Sequence, residues 1–371
     1  MKKGFLYTTL LIIGLSAIFA VKVEGSVGDS TASLQDITLN NEKAELNPGE
    51  FIFDHIGDAH DWHILTVGDH HISIPLPIFL YSKTRGKFYA FFSSRFHHGQ
   101  SSYKGFKLIT EGHLKGKIAE IDSQGEIITV SLPIDLSLKK NGAAIIFSCL
   151  LISFIFISVA KKYKKRPQGA PKGFQSLAEN LILFVRDEIA RPSIGEKHYS
   201  RFMPFLLSIF FFIWINNMLG LIPVFPGGAN VTGNIAVTMV LAIFTLFVIL
   251  LSGNKHFWKH IFNTPGIPMM LKFPIPLMQV VEISSWIIKP AVLMIRLFAN
   301  MLAGHMISMV LFLLIFIFGA INIYYGYGIS FVSVLLVVFM SLLELLVAFI
   351  QAFVFTMLSA LFVGMAVEEH N

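Results

Sequence analysis

Residues Glu282 to Met306 read EISSWIIKPAVLMIRLFANMLAGHM, an apolar stretch that carries a carboxylate, an ammonium, a guanidinium, an amide and an imidazole. It lies in a longer apolar run that starts after the Pro-punctuated segment Pro265 to Pro276 and reaches roughly Phe318. Gly319 to Gly328 reads as a turn, and a second apolar run continues to about Val367. Each run is about 40 residues, about 60 Å as helix, roughly twice the hydrocarbon thickness of a bilayer. Upright helices of that length would overshoot, so the runs predict two long, steeply tilted helices packed as a hairpin against another protein.

At 100° per residue, Glu282, Ser285, Lys289, Arg296 and Asn300 fall within about 60° of one another, one polar stripe along the first long helix. His305, nine residues beyond Arg296, points to the opposite face. On the second helix Glu344 and Gln351 share a face, and Ala348 and Ala352 keep that face shallow enough for close helix approach. Each ionisable group at membrane depth costs about 3 kcal/mol even on the lenient insertion scale, so each is a functional candidate. Glu282 and Lys289, early in the helix, could equally snorkel to the interface. Asn300 and Gln351 could be interhelical glue, and His305 with Glu344 a structural hydrogen-bonded pair. Arg296 is different: it lies about 20 positions from either helix end, and its guanidinium cannot shed its charge. It must face a carboxylate or a wet cavity.

The rest of the chain agrees with a membrane reading. Of 371 residues 54% are hydrophobic and only 14% charged, too little polar surface for a soluble globule. A lone Cys149 excludes a disulfide scaffold. The formal charge of +6 could point to nucleic acid, but the basic residues sit where bilayer topology puts them. Gly142 to Ala160 carries no charge and is long enough to span; Lys161, Lys162, Lys164, Lys165 and Arg166 follow and mark the cytoplasmic side. Phe174, Leu177, Leu181, Val185 and Ile189 recur at helical spacing, an amphipathic helix expected on the cytoplasmic membrane face. Phe202 to Asn254 contains no Asp, Glu, Lys, Arg or His, and the Pro223, Pro226, Gly227, Gly228 turn divides it into two crossings. Lys255, His256, Lys259 and His260 return the chain to the cytoplasm.

The N-terminal part is of another kind. Lys2, Lys3 and the apolar run Phe5 to Ala20 read as a secretory signal over residues 1–25, with an uncleaved anchor as the alternative. Residues 26–140 are polar, with period-two stretches Ile72 to Leu80, Lys87 to Phe92 and Ile127 to Leu136 that read as β-strands. Asp54, His55, His60, Asp61, His63, Asp69, His70 and His71 raise the question of a metal, but their spacing fits no fixed ligand geometry, and surface imidazoles are the favoured reading. The expected architecture is an all-α polytopic membrane protein of about five membrane-embedded helices over residues 141–371. A cytoplasmic amphipathic helix and a small β-rich extracytoplasmic domain complete it.

A fixed Arg at membrane depth has a definite use if a partner helix carries a carboxylate through the bilayer. Facing lipid, that carboxylate must be protonated; beside Arg296 its pKa falls and the proton leaves. Arg296 then separates a loading side from an unloading side, His305 with Glu344 lining one aqueous path and Glu282 the other.

The stretch Glu282 to Met306, together with Ile350, Gln351, Ala352 and Phe353, closely resembles subunit a of the F-type ATP synthase membrane sector, over roughly Gly142 to the C-terminus. The resemblance implies that Arg296 is the stator arginine facing a ring of c subunits. It sets Asn300 and Gln351 beside the ion path and Glu282 at the cytoplasmic exit, with Ser285 and Lys289 in support. It also implies b subunits of the peripheral stalk as partners and protons as cargo, in the cell (inner) membrane with a periplasmic N-terminal domain and a cytoplasmic C-terminus. Many family members carry Glu where this chain has His305 and His where it has Glu344. That reciprocal exchange keeps one carboxylate and one imidazole, as a pair meeting across the hairpin would require. No cofactor, metal or nucleic acid is expected, and no Walker-type loop for nucleotide chemistry occurs. The alternative, a self-contained ion-coupled secondary transporter, would need inverted repeats and broken helices, which the sequence does not display.

Overall fold

A computed structural model describes residues 49, 57–67, 70–110, 114–122, 128, 132–165, 171, 173–222, 225–262 and 277–368. The signal segment and the Pro265 to Pro276 stretch lie outside these described residues. Two compact units emerge, one drawn from residues 20–145 with 222–229, the other from 146–221 with 230–371.

The first unit is built on short antiparallel strands. β1 (Asp61–Val67) pairs with β2 (His70–Pro75), and β3 (Pro77–Ser82) lies between β4 (Lys87–Phe92) and β7 (Ile134–Asp135). β5 (Phe106–Leu108) pairs with β6 (Ile118–Glu120). The expected single strand Ile72 to Leu80 is thus two strands in two sheets. Pro75 and Pro77 flank Leu76, neither can donate a ladder hydrogen bond, and the chain changes partners there. Lys87 to Phe92 is a strand as expected, while of Ile127 to Leu136 only Ile134 and Asp135 are described as strand. Ile78, Leu80, Phe96, Phe106 and Ile118 form the core, each nearly sealed from solvent.

Residues 58–62 hold this unit together at three places. The Asp58 carboxylate accepts from the Asn141 backbone N–H and the Ala59 carbonyl from that of Lys140, both at 2.9 Å, which satisfies donors at the start of helix α1 (Lys140–Lys165). Trp62 Nε1 donates to the Gly227 carbonyl at 3.2 Å, and its ring meets Phe225 edge-on with centroids 5.2 Å apart. Between them, buried His60 bonds Asp135 through Nε2 at 2.8 Å. Burial would raise the Asp135 carboxyl, but hydrogen bonds from His60 and Ser137, with the His60 charge, outweigh it and lower it to about 2.

The second unit is helical. After α1 come α2 (Phe174–Phe184), one wider π-type segment at Val185–Ala190, and α3 (Arg191–Ile194). The expected amphipathic helix is therefore present, with Val185, Ile189 and Ala190 fully buried. Protein covers only the C-terminal part of its apolar stripe, where the Phe184 ring lies 5.9 and 5.7 Å from those of Phe349 and Phe353, whereas Phe174 and Leu177 are exposed. Hydrogen bonds from Arg186 hold the Asp187 carboxyl below the ordinary range. α4 (Tyr199–Leu221) and α5 (Ile235–Ser252) are the two crossings on either side of the Pro/Gly turn, followed by α6 (Lys255–Phe262). α7 (Leu277–Ile321) and α8 (Ile323–Val367) are the long pair, 45 residues each, or about 67 Å. Five helices, α1, α4, α5, α7 and α8, are long and apolar enough to cross a membrane.

The junction of the long pair differs from the expected turn over Gly319 to Gly328. Helix runs through most of that range, and Asn322 alone is extended. Its side chain accepts from Tyr324 N at 3.0 Å and caps α8, so no loop is needed to start the second helix. A Cβ on Gly326 would stand 2.8 Å from the Gly319 Cα; only glycine lets the two backbones converge this soon after the reversal.

Candidate functional site

Contacts between α7 and α8 fix their register. Near the start of α7, Lys289 Nζ lies 4.0 Å above the Trp286 ring and 5.4 Å from that of Phe362 on α8. Trp286 Nε1 donates to Glu282 Oε1 at 3.3 Å, gathering Glu282, Trp286 and Lys289 into one cluster. Ser285 lies beside it on the same stretch, half-buried. Farther along, Ser308 Oγ donates to Glu344 Oε1 at 2.9 Å. A Cβ on Gly304 would come within 2.9 Å of the same oxygen, so Gly304 is the space into which the carboxylate fits. His305 is half-buried on this turn of α7, adjacent to Gly304 and three residues before Ser308.

Interpolating between these crossings sets Asn300 level with Gln351, and Arg296 level with Phe353 to Phe355. Gln351 is buried with Ala348 and Ala352, whose small side chains admit α4. Arg296 and Asn300 are exposed. Among the described residues no carboxylate stands within salt-bridge range of Arg296. One side of the long hairpin packs on α4 and α5. The Arg296 side, with exposed Val292 and Ile295 beside it, has no covering element of this chain among the described residues.

The structure adds polar residues that the sequence reading passed over. Asn217, fully buried, donates from Nδ2 to the Ala348 carbonyl at 3.3 Å and accepts from Thr232 Oγ1 at 2.6 Å. Ala348 is one helical turn from Glu344, so this bond brings the amide to the carboxylate's face of α8. Asn216 donates to the Phe212 carbonyl at 2.8 Å, yet its Oδ1, like Asn230 Nδ2, is buried without a partner among the described residues. Buried amide atoms in that condition are commonly met by water. The sequence held a signal for this: adjacent Asn216 and Asn217 interrupt the run from Phe202 to Leu221, which carries no charged residue and whose other buried polar side chain is the Ser208 hydroxyl.

These features define a class: a polytopic helical membrane protein whose two longest helices combine ionisable groups at membrane depth with one open polar face. A family model for the ATP synthase A chain matches residues 143–364, more than half of the sequence. The chain belongs to the ATP synthase A chain family. Among its relatives, ATP synthase subunit a of Chloroherpeton thalassium is 43% identical over 246 residues, 64% of this chain and 69% of that protein. ATP synthase subunit a of Myxococcus xanthus is 42% identical over 241 residues, 63% of this chain and 74% of that protein. That of Chlorobium phaeobacteroides strain DSM 266 is 34% identical over 284 residues, 73% and 79% of the two chains. Residues 51–137 match a separate domain of unknown function.

Proposed function

We propose that this chain is the proton-conducting stator subunit of an F-type ATP synthase, passing protons through two offset half-channels against a rotating ring of c subunits. The observation that carries the reading is Arg296, a permanent cation about 20 residues from the nearer end of α7, on a face that no described element of this chain covers. A ring carboxylate passing that face would be held ionised by the guanidinium and would need its proton back before re-entering lipid. Asn300 and Gln351 flank Arg296 as hydrogen-bonding neighbours. His305 and Glu344, with Asn216, Asn217, Asn230 and Thr232 one turn further, form the outer half-channel; Glu282 lines the inner one, supported by Ser285 and Lys289. The peripheral-stalk b subunits hold the stator, and ATP turnover belongs to other subunits.

Two contacts support the proposed sidedness. Trp62 and Gly227 share a unit, so the N-terminal domain and the α4–α5 turn lie on one side, read as periplasmic. Asn254, beside the basic α6, bonds the Ala366 and Val367 carbonyls at 3.0 and 2.7 Å, which supports a cytoplasmic C-terminal end for α8. Residues 1–25 remain a proposed signal segment, 26–140 the extracytoplasmic domain and 141–371 the membrane domain.

The test is ATP-driven acidification of inverted vesicles carrying the assembled complex with Arg296→Ala. The expected result is normal assembly with no uncoupler-sensitive gradient; an unchanged gradient overturns the reading.

A further inference from the structure

The three-stranded sheet β4-β3-β7 packs one face on the core and, among the described residues, leaves the other bare. Alternation along the strands puts Phe79, Tyr81, Phe88, Phe92, Ile134 and Leu136 on that bare face, from 37% to 60% exposed. A contiguous apolar face of six large residues, four of them aromatic, is more than scattered surface hydrophobicity and marks a contact. Two further observations say with what. First, the face adjoins the membrane entry. Leu138 N donates to the Pro77 carbonyl at 3.1 Å, two residues before α1 begins at Lys140, and Pro77 is registered opposite Phe92. Second, the β3–β4 turn at the far end presents only basic charge outward: Lys83 and Lys87 are exposed and Arg85 donates to the Lys104 carbonyl at 2.9 Å between them, while the Glu120 carboxylate that Thr84 bonds there is buried. Aromatic rings beside exposed cations fit the boundary between acyl chains and anionic headgroups.

We propose that this sheet face lies flat on the bilayer surface beside α1, its rings at the headgroup–acyl boundary and Lys83 and Lys87 against anionic headgroups. The domain is thereby seated on the membrane rather than standing free of the surface. The proposal rests on α1 crossing the bilayer and not on proton translocation.

Cys149, the only cysteine, is buried, so a single reactive thiol can be introduced after Cys149→Ala. Phe88→Cys tests the end of the face about 13 Å along β4 from Phe92, which proximity to α1 alone would not carry into lipid. Leu136→Cys is a second site on the same face, and Lys117→Cys, exposed in the β5–β6 turn, is the aqueous reference. Each full-length variant carries an environment-sensitive nitrobenzoxadiazole label in nanodiscs of phosphatidylcholine and phosphatidylglycerol containing a shallow doxyl lipid. Labels at 88 and 136 are expected to be quenched by the doxyl lipid at least about twofold more than at 117, and to be shielded from iodide. Replacing phosphatidylglycerol by phosphatidylcholine is expected to weaken that quenching. Labels at 88 and 117 behaving alike overturn the proposal. Iodide shielding at 88 without doxyl quenching also overturns it, because the cover is then protein.

Discussion

Glu344 of α8 is bonded to Ser308 of α7 at 2.9 Å and seated over Gly304, so the carboxylate and the turn of α7 that carries His305 are held at one level of the hairpin. That contact ties the two long helices together.

Gly304→Val fills the space Glu344 occupies. Branching there costs about 1–3 kcal/mol of crowding, which the flexible carboxylate relieves by moving away from Ser308. ATP-driven pumping is expected to fall by about tenfold, read as dye quenching in inverted vesicles with complex assembly checked by immunoblot. Unchanged pumping shows that the position of Glu344 is not limiting.

The exchange of His305 and Glu344 against many relatives invites a double-mutant cycle. His305→Glu alone sets two carboxylates on one level and is expected to impair transport. Adding Glu344→His restores one of each and is expected to recover at least part of the loss. Additive losses reject a functional pair.

Asn217→Ala removes both bonds that join α4 to α8 and to Thr232, leaving the buried Thr232 hydroxyl without its acceptor, while the Ala348 carbonyl keeps its intrahelical bond. The expected cost is about 1–3 kcal/mol, visible as a lower melting temperature of the detergent-solubilised chain. Asn217→Ser, which keeps a donor and acceptor, is expected to lose less. Equal losses mean that the amide acts only by filling space.

In the N-terminal domain the His60–Asp135 pair predicts a pH dependence. The Asp135 carboxyl is lowered in the folded state to about 2, so its contribution is complete above the unfolded value of about 4 and disappears as pH falls through about 2. Asp135→Asn is therefore expected to cost about 2 kcal/mol at neutral pH, and the gap between wild type and variant to close toward pH 2. A gap that persists in acid assigns the effect to packing.

Much of this was legible in sequence because hydrophobic periodicity and charge placement are strong signals in a membrane chain. Arg296, Asn300 and Glu344 stand out since each opposes the apolar run around it. Helices α1 and α5 are equally plain, because their long uncharged runs end at lysine clusters. What could not be read was pairing in space. Nothing in the apolar helix α4 says that Asn217 meets the Ala348 carbonyl, which is 131 residues away. The split at Leu76 was missed because period-two alternation continues through both prolines, which act on hydrogen bonding rather than on hydrophobicity. The reversal at Asn322 was read too long because glycines signal turns, whereas Gly319 and Gly326 serve helix contact.

The single extended residue at Asn322 also has a mechanical meaning. Two rods joined by one link, with their backbones in touch just beyond it, have no slack to take up, so a sideways push on either is shared by both as on a single blade. On the proposed reading, a turning ring drags on the face that carries Arg296. A hinged pair would yield and let the cation drift away from its inlet. A stiff one holds their spacing under load, and the force is transmitted to the frame.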